Sequence, residues 1–371
     1  MMRFATAFVP AYVIERLFWE ARGMSVLDVI YAEIVFALTQ LSLELPFGRA
    51  TDRFGRKWFL VFGMVAECLS FAMLLNAYTL TAFLGAMVLA GVGAAAISGT
   101  EEAFLFETLE QVGQVERFER TVGRLNAVSL MTAGLAALIG SWLTQSTAFE
   151  FHYKISLISL MSATLVSLTL RETRLVVEES TARPLRLVWR ELRTRPMLIR
   201  IFLFSVLFGT TINFIEEFWQ LSMRDRGIPV TGFGLVFILI MVAQGVGNLL
   251  PALTKGSLTV NLNGMLVVFF VSVISFSLTG MASILFLFMV FLLYGQSEPM
   301  TSSLLQTYAS AKERATIVSI ASWLESVLII IVGLGFGFIS EWASLDIAYV
   351  YLCLVSFVLW LCVAWLSKRR E

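Results

Sequence analysis

Carboxylates interrupt the longest apolar stretches of this chain. Glu15 lies in V-I-E-R-L-F-W and Glu216 in F-I-E-E-F-W, while Glu298 and Glu325 stand inside later apolar stretches. A charged side chain in an apolar medium is costly unless it is paired, hydrated or neutralised. Because burial favours the neutral form of an acid, such carboxyl groups can bind and release protons. The chemistry that these residues indicate is therefore proton exchange.

Other polar residues lie at comparable depth in the apolar stretches. Arg16 is the basic one, and it can pair with Glu20 one turn away or with an acid on another helix. The remaining candidates are the acids Glu33, Glu67 and Glu217 and the amides Gln40, Asn213 and Gln244. Glu67 is expected to be structural or to face a shallow water pocket. Amides inside a helical bundle more often join helices than bind cargo.

Glu298 and Glu325 are interpreted as candidates for lining a cavity. Glu298 precedes Pro299, and we expect a broken helix there, with freed backbone carbonyls beside the carboxylate. The aromatic residues near the acids could form an apolar, cation-binding wall: Tyr12, Phe18, Trp19, Phe218, Trp219 and Trp323. For Trp19 and Trp219, anchoring at the membrane interface is the expected role.

The sequence contains no residue set typical of an enzyme or a metal centre. His152 is the single histidine, is predicted to lie in an outer loop, and receives no role. Cys68, Cys353 and Cys362 lie in apolar runs without metal-ligand spacing. We therefore expect no catalytic residue, no metal, no cofactor and no nucleic-acid partner.

The elements that hold these residues are predicted to be membrane-spanning helices. Of 371 residues, 58% are hydrophobic and only 15% are charged, and the mean hydropathy is +0.82. About 20 apolar residues are enough to cross a bilayer as a helix. Twelve such spans are predicted: 4–21, 27–48, 57–76, 79–106, 122–145, 152–170, 199–223, 230–253, 259–280, 283–308, 315–340 and 344–366.

Basic residues orient the spans. With the N-terminus inside, 22 of the 27 lysines and arginines fall on the cytoplasmic side, and four fall outside. Lysine and arginine are enriched in cytoplasmic loops of membrane proteins. The bias predicts a multi-pass protein of the plasma membrane with both termini in the cytoplasm.

The chain divides into two similar halves. V-I-E-R-L-F-W-E-A-R-G-M-S-V at the end of the first span resembles F-I-E-E-F-W-Q-L-S-M-R-D-R-G-I-P-V at the end of the seventh. The domains predicted are six-helix bundles over 1–170 and 199–371, joined by a basic amphipathic linker over 171–198. Parallel repeats with a midplane site are a transporter architecture. The fold class is all-α integral membrane, with twelve helices in two pseudo-symmetric bundles.

The turn after the second span carries the most specific motif. Residues 48–57 read G-R-A-T-D-R-F-G-R-K. They resemble the signature loop of the major facilitator superfamily, G-x-x-x-D-R-x-G-R-K. Gly48 and Gly55 would permit a tight turn and close approach of helices. The resemblance implies that Asp52 accepts hydrogen bonds from the start of the eleventh span and that Arg56 pairs with Glu107. The expected conformational latch comprises Gly48, Asp52, Arg53, Gly55, Arg56 and Glu107.

Two further segments refine the resemblance. S-G-T-E-E-A-F-L-F-E-T-L and K-E-R-A-T-I-V-S-I are similar to a subgroup of bacterial exporters. Many proton-coupled members carry an arginine where Met87 stands here. The antiporter pattern of the fifth span also loses its proline, although small residues persist at Gly123, Thr132, Ala136, Ala137, Gly140 and Ser141. Close helix packing is therefore still expected along the fifth span.

The sequence thus predicts a secondary active transporter that works by alternating access as a monomer in membrane lipid. A cavity rich in acids and aromatics favours proton-coupled efflux of a small neutral or cationic amphiphile, in the manner of an antiporter, because an anionic cargo would require basic partners. The alternative is a uniporter or importer of a neutral metabolite. A membrane enzyme and a non-transporting sensor with the same fold are the two further alternatives.

Overall fold

The computed structural model describes residues 1–172, 196–250, 258–308 and 311–368. Within these ranges, the side chains of residues 45, 52, 53, 196, 258–261, 306–308, 311–323 and 362–368 lie outside the description. Every regular element in the described part is helical. The part of the chain that the structure describes is thus all-helical, as predicted.

The first half contains eight α-helices. They are α1 (Met2–Ala7), α2 (Glu15–Ala21), α3 (Val26–Phe54), α4 (Arg56–Leu75), α5 (Leu80–Ile97), α6 (Thr100–Gln111), α7 (Phe118–Leu143) and α8 (Phe149–Leu168). Ser25 caps α3, because its hydroxyl accepts from the Asp28 N–H while the Asp28 carboxylate accepts from the Ser25 N–H.

The described part of the second half contains six α-helices. They are α9 (Pro196–Asp225), α10 (Phe233–Leu249), α11 (Leu258–Leu278), α12 (Ser283–Tyr308), α13 (Ala311–Trp342) and α14 (Leu345–Lys368). Each predicted span corresponds to helix in the structure. In the described ranges, nine helical stretches are long and apolar enough to cross a membrane, and two shorter apolar stretches occur at Leu262–Leu278 and Leu345–Leu361.

The first span is not one helix, which corrects the prediction of a helix over 4–21. The α-helix stops at Ala7, a 3-10 helix runs over Pro10–Ile14, and α2 begins at Glu15. Pro10 supplies no N–H for a continuous helix. Two serines of α8 bond the backbone around the break: Ser159 Oγ donates to the Ala5 carbonyl at 2.8 Å, and Ser156 Oγ accepts from the Ala11 N–H at 3.1 Å.

The fourth span is also divided, while the tenth is continuous. Gly99, at φ +68°, separates α5 from α6, so the predicted helix over 79–106 is two helices. In contrast, α12 continues through Pro299, and the break expected beside Glu298 is wrong. Hydroxyls bond the backbone on both sides of this proline: Ser297 Oγ donates to the Tyr294 carbonyl at 2.7 Å and Thr301 Oγ1 to the Ser297 carbonyl at 2.9 Å. Such bonds let a membrane helix tolerate proline.

Two compact units make up the protein. One contains α1 to α8 together with Pro229–Phe237, and the other contains α9 and the rest of the second half. Gly234 belongs to the first unit. Its backbone packs tightly against α7, since a Cβ on Gly234 would lie 2.7 Å from the Ala137 carbonyl. The predicted boundaries of the bundles stay a prediction, and most of the predicted linker lies outside the described residues.

Glycines bring equivalent helix pairs together in both units. A Cβ on Gly91 of α5 would lie 2.8 Å from the Phe36 carbonyl of α3. In the second unit, a Cβ on Gly247 of α10 would overlap the Leu292 carbonyl of α12, and one on Gly295 would overlap the Gln244 carbonyl. The second and fourth spans, and likewise the eighth and tenth, pack at the backbone-to-backbone distance that only small residues permit.

Candidate functional site

The signature motif forms a helix end and a one-residue turn. α3 continues to Phe54, and Gly55, at φ +102°, starts α4 directly. The carboxylate of Glu172 covers the first turn of α4, accepting from the Arg56 N–H at 2.9 Å and from the Lys57 N–H at 3.2 Å. A helix N-terminus carries partial positive charge, so a carboxylate stabilises it. A Cβ on Gly55 would lie 2.6 Å from Glu172 Oε2.

Gly48 has a different environment from the one predicted. It lies inside α3, and within the described part of the chain no atom beyond its own helix lies within 4 Å of a Cβ built on it. The predicted role of Gly48 in a turn or close helix approach is wrong, because α3 continues past the end that the sequence pattern indicated.

The pair predicted between Arg56 and Glu107 forms. Arg56 Nε donates to Glu107 Oε1 at 2.6 Å, and the two side chains are 14% and 6% exposed. Glu107 is on α6, beyond the Gly99 break, so the pair ties this separate helix to the start of α4. The side chains of Asp52 and Arg53 lie outside the described residues, and the latch to the eleventh span stays a prediction.

Glu172 was missed by the sequence reasoning. It directly follows the sixth span, on the same predicted membrane side as the signature motif. An acid at that position, opposite an uncapped helix start, was the available signal.

In the first unit, the charged residues of the broken first span meet α3. Arg16 Nη2 donates to Glu33 Oε1 at 2.9 Å, and the guanidinium lies 4.5 Å from the centre of the Trp19 ring. Arg16 is buried, whereas Glu33 is 30% exposed. Glu15 interacts electrostatically with both Arg16 and Glu33. Of the two partners predicted for Arg16, Glu20 or an acid on another helix, the structure shows the second, because Glu33 lies on α3.

Glu67 faces the first span from α4. The ring of Tyr12 contacts Phe71, one turn beyond Glu67 on α4, with ring centres 6.0 Å apart. Tyr12 also interacts electrostatically with Glu67 and Glu15. Glu67 is only partly buried, and the shallow water pocket expected beside it stays a prediction.

In the second unit, the acids of three helices lie close together. Glu216 on α9 and Glu325 on α13 interact electrostatically, and Tyr294 on α12 interacts with both and with Glu298. Glu325 lies against Gly209, seven residues before Glu216 on α9, where a Cβ would overlap the carboxylate. Positions seven apart share one helix face, so both carboxylates lie along the same side of α9. Glu216 and Glu298 are exposed, and Glu325 is half-buried.

Glu216, Glu298 and Glu325 have no basic partner within the described part of the chain, in contrast to the Arg16–Glu33 pair of the first unit. The amides Gln40, Asn213 and Gln244 are partly buried, and their predicted contribution to the cavity stays a prediction.

Most of the predicted aromatic wall is packed inside the units. Phe18, Trp19 and Phe218 are at most 1% exposed, and Trp219 is 4% exposed. Trp19 Nε1 donates to the Tyr153 hydroxyl at 3.1 Å. The expected anchoring of Trp19 and Trp219 at the interface is wrong, because both side chains are buried inside the protein. Tyr12 is 48% exposed, and the side chain of Trp323 lies outside the described residues.

Five of the six small residues of the fifth span pack closely, as predicted, whereas Gly123 is exposed, with no atom beyond its own helix within 4 Å of a Cβ built on it in the described part of the chain, and does not pack against another helix there. Thr132, Ala136, Ala137, Gly140 and Ser141 are buried on α7, and a Cβ on Gly140 would lie 2.6 Å from the Pro10 carbonyl. His152 lies in α8 and not in a loop; it is fully buried, and its Nε2 lies 2.8 Å from the Gly140 carbonyl.

Comparison with known proteins identifies the family. A family model described as Major Facilitator Superfamily matches residues 1–333. No curated protein sequence gives a significant match.

Solved structures of transporters share the fold. A nucleoside transporter, in a point-mutant form, has a TM-score of 0.73 at 12% identity, with 98% of each chain covered. A D-xylose–proton symporter has a TM-score of 0.73 at 11% identity, covering 98% of this chain and 95% of that one. A bacterial homologue of the human lysosomal transporter Spinster has a TM-score of 0.70 at 14% identity, covering 99% and 95%. At these identities the similarity establishes the fold alone. Since the family model covers most of the chain, the protein belongs to the Major Facilitator Superfamily of membrane transporters.

Proposed function

We propose that this transporter is a proton-coupled exporter of small neutral or cationic amphiphiles, working by alternating access in the plasma membrane. The observation that carries the proposal is the acid cluster of the second unit. Glu216 and Glu325 interact with each other and with Tyr294, without a basic partner among the described residues. Two adjacent carboxylates titrate as a pair, so a proton taken up by one changes the charge on the other.

The acids of the first unit differ from those of the second in having a basic partner. Arg16 compensates the charge of Glu33, so the proton-exchanging group is more readily assigned to the second unit, with Glu15 as its repeat-related counterpart. In the proposed cycle, Glu216 or Glu325 takes a proton from the outer side while no cargo is bound. Cargo arriving from the cytoplasm then displaces the proton, which is released into the cytoplasm, and the positive charge of a cationic cargo is neutralised by the carboxylates.

Flux measurements in proteoliposomes test the proposal. Ethidium serves as the cationic probe and is measured by fluorescence under an imposed pH gradient, in both gradient directions. Proton-coupled export predicts ethidium movement opposite to the proton flux and its loss with an uncoupler. Glu216→Gln and Glu325→Gln are each expected to abolish gradient-driven flux, because neither amide can bind and release a proton.

One control variant sharpens the result. Glu341→Gln changes an acid at the end of α13, outside the cluster, and leaves flux unchanged. Ethidium flux that is independent of the pH gradient, or unimpaired in both cluster variants, would refute proton coupling at this site.

The alternative is a uniporter or importer of a neutral metabolite. The structure of the D-xylose–proton symporter shares the fold, and the fold alone does not set direction. Net uptake of a neutral solute that persists with an uncoupler would favour the alternative over the exporter.

A further inference from the structure

Two arginines occupy corresponding places in the two halves of the chain. Arg22 follows α2 and precedes Gly23, and Arg226 follows α9 and precedes Gly227. The glycines have φ of +85° and +78°, a conformation that ends a helix and favours glycine. Each arginine therefore sits at the same point of its repeat, just beyond the first or seventh span.

Arg22 joins the ends of three spans. Its Nη1 donates to the Ala77 carbonyl at 3.0 Å, and its Nη2 to the Leu75 carbonyl at 3.4 Å and to Glu150 Oε1 at 2.9 Å. Leu75 ends α4, and Glu150 is in the first turn of α8. The guanidinium also lies 3.8 Å from the centre of the Tyr78 ring.

Arg226 makes the same connection in the second unit. Its Nη2 donates to the Phe276 carbonyl at 2.8 Å and to Asp346 Oδ1 at 2.6 Å, and its Nε donates to the Thr279 carbonyl at 3.2 Å. Phe276 is in the last turn of α11, and Asp346 is in the first turn of α14. The guanidinium lies 4.9 Å from the centre of the Phe276 ring.

The electrostatics of both sites are complementary. The end of a helix carries partial negative charge on its free carbonyls, and the start carries partial positive charge. The guanidinium of Arg22 satisfies carbonyls at the end of the third span, and that of Arg226 satisfies carbonyls at the end of the ninth. The partner carboxylates lie at the starts of the sixth and twelfth spans. The arginines are 6% and 7% exposed, while Glu150 and Asp346 are 41% and 45% exposed. The guanidinium of each site is thus buried, and the carboxylate lies at its solvent-exposed edge.

We propose that Arg22 and Arg226 are positioning residues that set the outer ends of the first and seventh spans, and so the placement of Arg16 and Glu216 within each unit. Only a planar fork with several N–H donors can reach all these acceptors at once. A lysine keeps the charge but presents a single nitrogen. The two sites act separately, because every described contact of each arginine is made inside its own unit.

Spin-label distances within one unit test the proposal without a known cargo. In a cysteine-free background, labels at Glu20 and at Asn76, the exposed residue that caps the end of α4, report the ends of the first and third spans, and labels at Arg224 and Met281 report those of the seventh and ninth. Arg22→Met and Arg22→Lys are each expected to broaden the first distance distribution about twofold and leave the second unchanged. Arg226→Met is expected to do the reverse. The distribution of distances between labels at Trp58 on α4 and Ser162 on α8 is expected to remain narrow in every variant that folds.

A functional readout separates positioning from general stability. Ethidium turnover in proteoliposomes is expected to fall about 10- to 100-fold in the Met variants with KM changed less than about twofold, because small misplacements of reacting groups lower turnover steeply. Arg117→Met, at an exposed arginine bonded to Gln114, is the matched control and retains wild-type values.

The outcomes distinguish this proposal from the proposed function. Unchanged distance distributions in Arg22→Met and Arg226→Met, or wild-type behaviour of Arg22→Lys, would overturn the positioning role whatever the cargo. Broadened distributions in a protein whose flux ignores the pH gradient would support the positioning role and refute proton coupling.

Discussion

At the scale of single residues, charged side chains in this protein act mainly on backbone ends and on one another. Glu172 covers the start of α4, and Arg56 holds Glu107. Unpaired charge is expensive in an apolar setting, so each contact restricts where its helix can lie. The exception is the carboxylate cluster around Glu216, which is the reason to assign proton exchange to it.

Gly55 is predicted to be irreplaceable, whereas Gly48 is not. Gly55→Ala forces a side chain into φ +102° and against the Glu172 carboxylate, and is expected to destabilise the fold by about 1–3 kcal/mol. Gly48→Ala, inside α3 with open space around it, is expected to gain about 0.5–1 kcal/mol. Thermal unfolding of the detergent-purified variants measures both. Equal unfolding temperatures would show that the turn at Gly55 is not strained by a side chain.

The Arg56–Glu107 pair is predicted to couple strongly. Glu107→Leu alone leaves a buried guanidinium without its carboxylate and is expected to cost roughly 3–5 kcal/mol. Arg56→Met combined with Glu107→Leu removes both charges and is expected to recover most of that loss. A double-mutant cycle of unfolding free energies gives the coupling. Additive single effects would mean that the two side chains do not interact in the membrane.

At the scale of elements, helix breaks lie where neighbouring atoms can bond the freed backbone. The first span breaks before Pro10 because serines of α8 supply a donor and an acceptor. In contrast, α12 passes through Pro299, with hydroxyls of its own residues donating to the Tyr294 and Ser297 carbonyls on either side. A proline therefore weakens a membrane helix, and its surroundings decide whether the helix separates.

Ser156→Ala tests this account of the first span. It removes the acceptor of the Ala11 N–H and is expected to cost about 1–3 kcal/mol, since a buried donor is left unsatisfied. Ser162→Ala is the control, because that exposed hydroxyl bonds only to the Ser159 carbonyl of its own helix among the described contacts. Differential scanning calorimetry of the two variants in detergent measures the loss of stability. A stable Ser156→Ala protein would mean that the break does not depend on the Ser156 hydroxyl.

At the scale of the whole molecule, the two repeat-related units contain corresponding helix contacts and corresponding charged sites. The glycine contacts between the second and fourth spans have counterparts between the eighth and tenth, and Arg22 has a counterpart in Arg226. Repetition of packing and of charge sites is expected of units that serve one transport cycle as pseudo-symmetric bodies.

The orientation in the membrane is predicted from the basic residues. In a cysteine-free background, Ser146→Cys is expected to react with an impermeant thiol reagent applied to intact cells, while Gln114→Cys is expected to react only after the cells are opened. The reason is that basic loops stay in the cytoplasm. Labelling of Gln114→Cys in intact cells would invert the topology.

Sequence alone determined the class of protein, most of the helical segments and the family, and the resemblance to that family implied the Arg56–Glu107 pair. The class, the segments and the family depend on the length and apolarity of segments and on a motif of local spacing, so they can be read without coordinates, while the pair, 51 residues apart in sequence, came only from the resemblance. The tertiary structure decided which proline or glycine breaks a helix, that Glu33 pairs with Arg16, that Glu172 covers α4, and that the tryptophans are buried. Each of these depends on which atoms from distant parts of the chain approach a freed backbone group or a buried charge, and no periodicity in the sequence encodes that meeting.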